Sequence, residues 1–97
     1  MGCGFLEVGT LTLRPQPGNE RPRVFRLNDD HAIINRYGFN NHGLDQGIKR
    51  LARRKKTAGI IGVNVGINKD STSPATDYIE GLKLVLPVAD YITINIS

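Results

Sequence analysis

The chain has 97 residues, a net charge of +4, 39% hydrophobic residues and one cysteine, Cys3. That length holds one domain at most, and a lone cysteine excludes an internal disulfide framework and fits a reducing compartment. No apolar run reaches the ~20 residues a membrane span needs, and Met1-Gly2-Cys3-Gly4 lacks the basic start and apolar core of a signal peptide. Leu6 stands where a myristoylation site wants Ser or Thr. No base neighbours Cys3 in the sequence, so the expected role is that of a small buried structural cysteine.

In chain order, Leu6-Glu7-Val8-Gly9-Thr10 predicts a first strand that ends on a hydroxyl. Three prolines and Gly18-Asn19 make the stretch from Thr12 to Pro22 an irregular loop, since proline lacks the donor that ladders and helices use. Arg23-Val24-Phe25-Arg26-Leu27 alternates like a half-buried strand, and Asn28-Asp29-Asp30 is turn chemistry. Ala32-Ile33-Ile34-Asn35 then reads as a returning strand or a short helical turn. An excursion this long between a strand and its helix is usually functional.

A first helix is expected from Leu44 to Lys56, capped by Asn40 or Asn41, with Asp45 in its first turn and Leu44, Ile48, Leu51 and Ala52 as its core stripe. Its basic run, Lys49 to Lys56, reads as a solvated face whose cations complement the helix dipole. Ile60 to Gly66 predicts a second strand with Gly62, Asn64 and Gly66 on one nearly bare face, a place for close approach by a ligand or another strand. After the polar loop Asn68 to Ser73, Ser73-Pro74 reads as N-cap and first turn of a second helix. Tyr78, Leu82, Val85 and Leu86 form its stripe, and Pro87 ends it. Tyr91 to Ser97 alternates as a third strand, with Ile92, Ile94 and Ile96 opposite Thr93, Asn95 and Ser97.

Strand and helix alternating in this way form parallel sheets, whose ligands sit at the carboxyl ends of the strands. Thr10, Asn64 and Asn95 are therefore expected to converge. Three strands and two helices leave sheet edges open, so the fold class is α/β and the chain reads as part of a larger protein. The expected architecture is a partial (β/α)8 barrel carrying a hairpin-like insertion; a complete barrel takes roughly 250 residues.

The chemistry lies in the asparagines. Each offers donors and an acceptor without charge, so Asn35, Asn64 and Asn95 suit the alternating C=O and N–H edge of a pyrimidine or flavin ring. The competing reading, turn and helix capping, fits Asn40 and Asn41 better. His31 and His42 stand alone, without a second metal ligand, and Thr10 and Ser97 have no adjacent base. No phosphate-binding or dinucleotide glycine motif is present.

Several of these segments, with their spacing, resemble the dihydroorotate dehydrogenase family, in its quinone-linked, membrane-associated class. They are Glu7-Val8-Gly9-Thr10, the Arg14-Pro15-Gln16-Pro17-Gly18-Asn19 loop, Pro22 to Leu27, Asn35 to Asn41, Gly62 to Lys69, Asp77-Tyr78, Ala89-Asp90-Tyr91 and Asn95-Ile96-Ser97. The resemblance implies an FMN-containing barrel that oxidises dihydroorotate to orotate in pyrimidine synthesis. Proton loss from C5 would accompany hydride transfer from C6 to the flavin, and quinone would then reoxidise the flavin. By motif, Thr10, Asn64 and Asn95 correspond to FMN contacts. Asn35, Arg36, Tyr37, Gly38 and Phe39, with Asn95 again, correspond to substrate contacts, and Arg26 to a quinone tunnel. The family's catalytic serine would follow Ser97, so no catalytic base is assigned within the chain. The family's membrane helices, a Gly-Leu-Asp-Lys loop and a glycine-rich phosphate site would also lie outside it.

The resemblance therefore implies a parent enzyme peripheral to a bacterial cytoplasmic or mitochondrial inner membrane, with no nucleic-acid partner. The 97 residues alone are expected to bind little FMN and to turn nothing over. One alternative is the soluble class of the same activity, which uses fumarate or NAD and a cysteine base. The other is a small basic module that binds polyanions through Lys49 to Lys56, with steep salt dependence.

Overall fold

A computed structural model describes residues 2–55 and 59–97. The elements are β1 (Phe5–Leu11), β2 (Val24–Leu27), β3 (Ala32–Asn35), α1 (Gly43–Leu51), β4 (Ile60–Val65), α2 (Pro74–Val85) and β5 (Tyr91–Ile94). Strands β1, β4 and β5 form one parallel sheet with β4 in the centre, and β2 and β3 form a separate antiparallel hairpin. The α/β class, the three parallel strands, the two helices and the inserted hairpin all follow the sequence pattern.

β-branched residues supply the sheet and apolar helix stripes cover it. Leu44 of α1, Val63 and Val65 of β4 and Val85 of α2 are fully buried, and Val8, Leu11, Leu13, Ile48, Leu51, Ala89 and Ile92 pack around them. Each full burial of such a side chain contributes about 1.5–3 kcal/mol. The core is small, and large apolar groups remain in water at the two sheet edges: Phe5 and Leu6 on β1, and Ile94 and Ile96 at or beyond the end of β5. Of the three isoleucines on one face of the third strand, Ile92 packs against the core, whereas Ile94 and Ile96 are exposed. Leu86, expected in the second helical stripe, is exposed, as is Ala52 of the first.

Other boundaries move for physical reasons. α1 ends at Leu51; beyond it, the N–H groups of Arg53 and Arg54 bond back three residues, to the carbonyls of Arg50 and Leu51. Such bonds tighten the last turn instead of extending the helix, while Lys56, the expected last residue, lies outside the described residues. His42 is the N-cap residue, yet Asn41 does the capping chemistry, its Oδ1 accepting the Gly43 N–H at 2.8 Å. α2 begins as expected, with Ser73 as N-cap and Pro74 in the first turn. Strand β5 stops at Ile94, although Asn95 still donates its N–H to the Val65 carbonyl at 2.8 Å.

Two further expectations are corrected. All four residues of β2 are exposed, not half-buried, because the hairpin projects from the sheet instead of packing on it. Cys3 is exposed, so it is not a buried structural residue. His31 lies in the hairpin turn and His42 at the helix start, both exposed.

The hairpin is tied down at its base. Gln16 and Asn41 form an antiparallel bridge with both N–H···O distances at 3.0 Å, the Asn19 N–H reaches the Tyr37 carbonyl, and Arg36 N–H reaches the Arg23 carbonyl. The Arg36 guanidinium donates to the Pro22 carbonyl at 2.9 and 3.1 Å and lies over the Phe25 ring. Beneath this base, Asn68 is 2% exposed, donates its amide to Thr12 Oγ1, the Arg14 carbonyl and Gln16 Oε1, and accepts the Arg14 N–H. That amide locks the loop after β4 to the loop after β1.

Candidate functional site

Thr10 is placed by an irregularity in the sheet. β1 and β4 pair in register from Phe5–Ile60 to Val8–Val63, but the next partners are Leu11 and Val65, so β1 carries one extra residue. Such a bulge re-aims the side chain beside it. Gly9, at φ +121°, permits the approach: a Cβ there would stand 2.5 Å from the Asn64 carbonyl oxygen.

The Thr10 hydroxyl donates to Asn64 Oδ1 at 2.8 Å and accepts from Asn95 Nδ2 at 3.0 Å. The three polar residues expected to converge from three strand ends therefore meet on one oxygen. Ser97 donates its backbone N–H to Asn95 Oδ1 at 3.0 Å, and the Tyr78 hydroxyl donates to the Asn95 carbonyl, fixing this residue from the α2 side.

On the same face sits Glu7, which the pattern of the sequence did not single out. Its Oε1 accepts from Asn64 Nδ2 at 3.0 Å, and its Oε2 from Thr93 Oγ1 at 2.9 Å and Tyr91 OH at 3.1 Å. Hydrogen bonds from Asn64, then Thr93, then Tyr91 favour its ionised form and hold its carboxyl below the usual glutamate value, against a smaller opposing effect of burial. Removal of the Tyr91 phenol from water raises its pKa first, and the Glu7 carboxylate adds to that. The bare backbone at Gly62 is covered by this Tyr91 ring, since a Cβ there would come 2.0 Å from Cζ. Close approach was expected there, and the chain's own aromatic ring makes it.

Counting donors and acceptors separates this cluster from a purely structural one. Asn64 and Asn95 each use one N–H and one acceptor site within the chain, and each keeps capacity for one more of both kinds. Thr10 keeps one lone pair. Uncharged donors and acceptors side by side match the imide edge of a flavin or pyrimidine ring.

A cavity of about 540 Å³ opens beside Thr10, lined by Gly9, Asn19 and residues 35–40. It joins the strand-end cluster to the whole Asn35–Phe39 stretch. Within that stretch Arg36 already anchors the hairpin, the Tyr37 ring stacks under Arg23 at 5.6 Å, and the Gly38 carbonyl accepts from Gln16. Asn35 accepts only a long 3.5 Å contact from the Tyr37 N–H, so its amide is the least committed of the group. Arg26 is not brought here. It lines a separate hollow of about 230 Å³ with Leu27, Asn28, His31, Ala32 and Ile33. Another hollow, of about 790 Å³ between Arg14–Gly18 and Asn68–Asp70, is walled by groups already bonded to one another.

A profile of the family described as dihydroorotate dehydrogenase matches residues 1–97. The chain belongs to the dihydroorotate dehydrogenase family. It is 56% identical over its full length to a dihydroorotate dehydrogenase (quinone) of Brucella ovis, and 55% identical to that of Rhodopseudomonas palustris. It spans 27% of the length of these relatives. Among solved structures, it superposes on the Eimeria tenella dihydroorotate dehydrogenase in complex with ferulenol with a TM-score of 0.87 at 49% identity, covering 99% of this chain and 28% of that one. The ligand-free Eimeria tenella structure gives a TM-score of 0.83 at 48% identity, over 95% and 28% of the two chains.

The basic run is partly committed. Lys49 pairs with Asp45 at 2.8 Å, and Arg54, with its side chain 19% exposed, donates to Asp90 Oδ2 at 2.7 Å and to the Gly59 carbonyl. Asp90 Oδ2 also accepts the Ile61 N–H at 2.8 Å. Arg54 thus joins the turn after α1 to the starts of β4 and β5. No helix among the described residues is long and apolar enough to cross a membrane.

Proposed function

We propose that this chain forms three strands of the FMN-binding (β/α)8 barrel of a quinone-dependent dihydroorotate dehydrogenase. Thr10, Asn64 and Asn95 hold the flavin; Asn35, Arg36, Tyr37, Gly38 and Phe39, with Asn95, hold dihydroorotate. The observation that carries this reading is the Thr10 oxygen, bonded at 2.8 and 3.0 Å to both amides and opening on the cavity of residues 35–40. Apolar residues in water at both sheet edges fit a barrel whose other strands pack there.

FMN, when bound, supplies the two-electron acceptance that takes dihydroorotate to orotate and passes electrons on to quinone. The chain's own share is orientation. Asn64 and Asn95 offer matched donors and acceptors to polar ring edges, and a site built this way rejects rings that lack them far better than an apolar slot does. Residues 35–39 close the cavity from the hairpin side. Arg26 lines a separate hollow on the hairpin, a position that suits a quinone reached apart from the substrate. Peripheral attachment to an inner membrane is the corresponding location of the whole enzyme.

The test is to purify the full-length protein, measure bound flavin and assay dihydroorotate oxidation with a soluble quinone, fumarate and NAD in parallel. Flavin with quinone-linked turnover is expected. Turnover with only fumarate or NAD would move the protein to the soluble class, and absence of flavin would end the reading.

A further inference from the structure

The bonds around Thr10 have a direction. A carboxylate only accepts hydrogen bonds, so Glu7 obliges Asn64 to turn its NH₂ toward it and its Oδ1 toward Thr10. Thr10 has one proton, which Asn64 Oδ1 takes; its oxygen then has only lone pairs for Asn95 and must meet the Nδ2 side. From the other side the Ser97 backbone N–H, which only donates, holds Asn95 Oδ1 and so also turns Nδ2 toward Thr10. Glu7 thus sets which end of Asn64 meets Thr10, the Ser97 N–H sets which end of Asn95 does, and the two meet on the Thr10 oxygen.

We infer that Glu7 is a positioning residue that fixes the donor and acceptor orientation of Asn64, and through it the direction of the Thr10 hydroxyl, toward the flavin. This rests on the flavin role proposed above for those two residues. Glu7 acts through Asn64, and no contact between Glu7 and a ligand is needed. An asparagine rotated by half a turn exchanges its donor and its acceptor, so a bond to a ring carbonyl becomes a repulsion. Glutamine at position 7 has almost the same shape, yet it can present either an acceptor or a donor to Asn64. Asn64 can then present either its NH₂ or its carbonyl to Thr10, whose hydroxyl accepts as well as donates.

Thr93 and Tyr91 complete the carboxylate. They donate to Oε2, while Asn64 uses Oε1, so the two oxygens are divided between support and relay. Removing the Tyr91 hydroxyl alone leaves the carboxylate charged and still facing Asn64.

The experiment uses the full-length protein as wild type, Glu7→Gln and Tyr91→Phe, with FMN dissociation followed by flavin fluorescence and the absorption spectrum of the retained flavin. Glu7→Gln is expected to weaken FMN binding about tenfold and to displace the absorption maximum, while Tyr91→Phe stays within about twofold of wild type with an unchanged spectrum. Unaltered FMN affinity in Glu7→Gln would overturn the inference. So would weaker binding with the spectrum of the remaining flavin unmoved, since that marks a merely structural role. Should Glu7→Gln not fold, a tenfold loss in Tyr91→Phe would overturn it, and retention is the expected result. A wild-type protein that carries no FMN would defeat the proposed function instead, leaving the two failures distinguishable.

Discussion

Two asparagine clusters lie at the same end of the sheet and do opposite work. Around Asn68 and Asn41, the amide groups are used up inside the chain: Asn68 bonds Thr12, Arg14 and Gln16, and Asn41 bonds Thr12, Phe39 and Gly43. Around Thr10, Asn64 and Asn95 keep half of their capacity. Residue type is alike in the two groups, and Asn64, Asn68 and Asn95 all lie at or just beyond strand ends. The number of bonds already made tells a clamp from a binding surface.

Breaking the clamp should cost the most stability. Asn68→Ala leaves the Arg14 N–H and carbonyl, the Thr12 hydroxyl and the Gln16 Oε1 short of a partner, and about 3 kcal/mol of unfolding free energy should be lost. Urea unfolding of the full-length protein measures it. Asn95→Ala should do the reverse, reducing substrate and flavin binding about tenfold, or ~1.4 kcal/mol, with a smaller effect on unfolding. If Asn95→Ala were the more destabilising of the two, the distinction between clamp and surface would fail.

The expected effect at Glu7 is smaller and depends on pH. Its pKa is depressed in the folded chain, so its contribution to stability is present above the ordinary value of 4.5 and is lost as pH falls through the lower folded value. The difference in unfolding midpoint between wild type and Glu7→Gln should therefore narrow as pH drops below 4.5. A difference that widens instead would mean that the carboxylate is not held ionised. The smallest effect belongs to the surface: Lys49→Ala removes an exposed i,i+4 pair with Asp45 and should change stability by about 0.5 kcal/mol or less.

The alternation of Ile92, Ile94 and Ile96 with Thr93, Asn95 and Ser97, and the glycine-flanked Asn64, made the parallel strands and their meeting point legible in the sequence. Parallel topology forces strand ends together, so three polar residues far apart in the chain share one oxygen. Glu7 was not legible, because a carboxylate in a strand reads as a solvent-facing residue. Its partners lie 57 to 86 positions away, and only the register of β1, β4 and β5 brings them near. The extra residue in β1 that aims Thr10 leaves no local mark beyond Gly9. The end of α1 was hidden for a different reason: good helix formers continue past Leu51, while Arg54 is drawn to Asp90 across the sheet start. Tertiary pairing overrode local propensity there.

The most direct test is a crystal structure of the full-length protein with FMN and orotate. Polar atoms of the isoalloxazine are expected within about 3 Å of the Asn64 and Asn95 amides, with orotate against residues 35–39. A flavin seated elsewhere, with those two amides turned from it, would contradict the account.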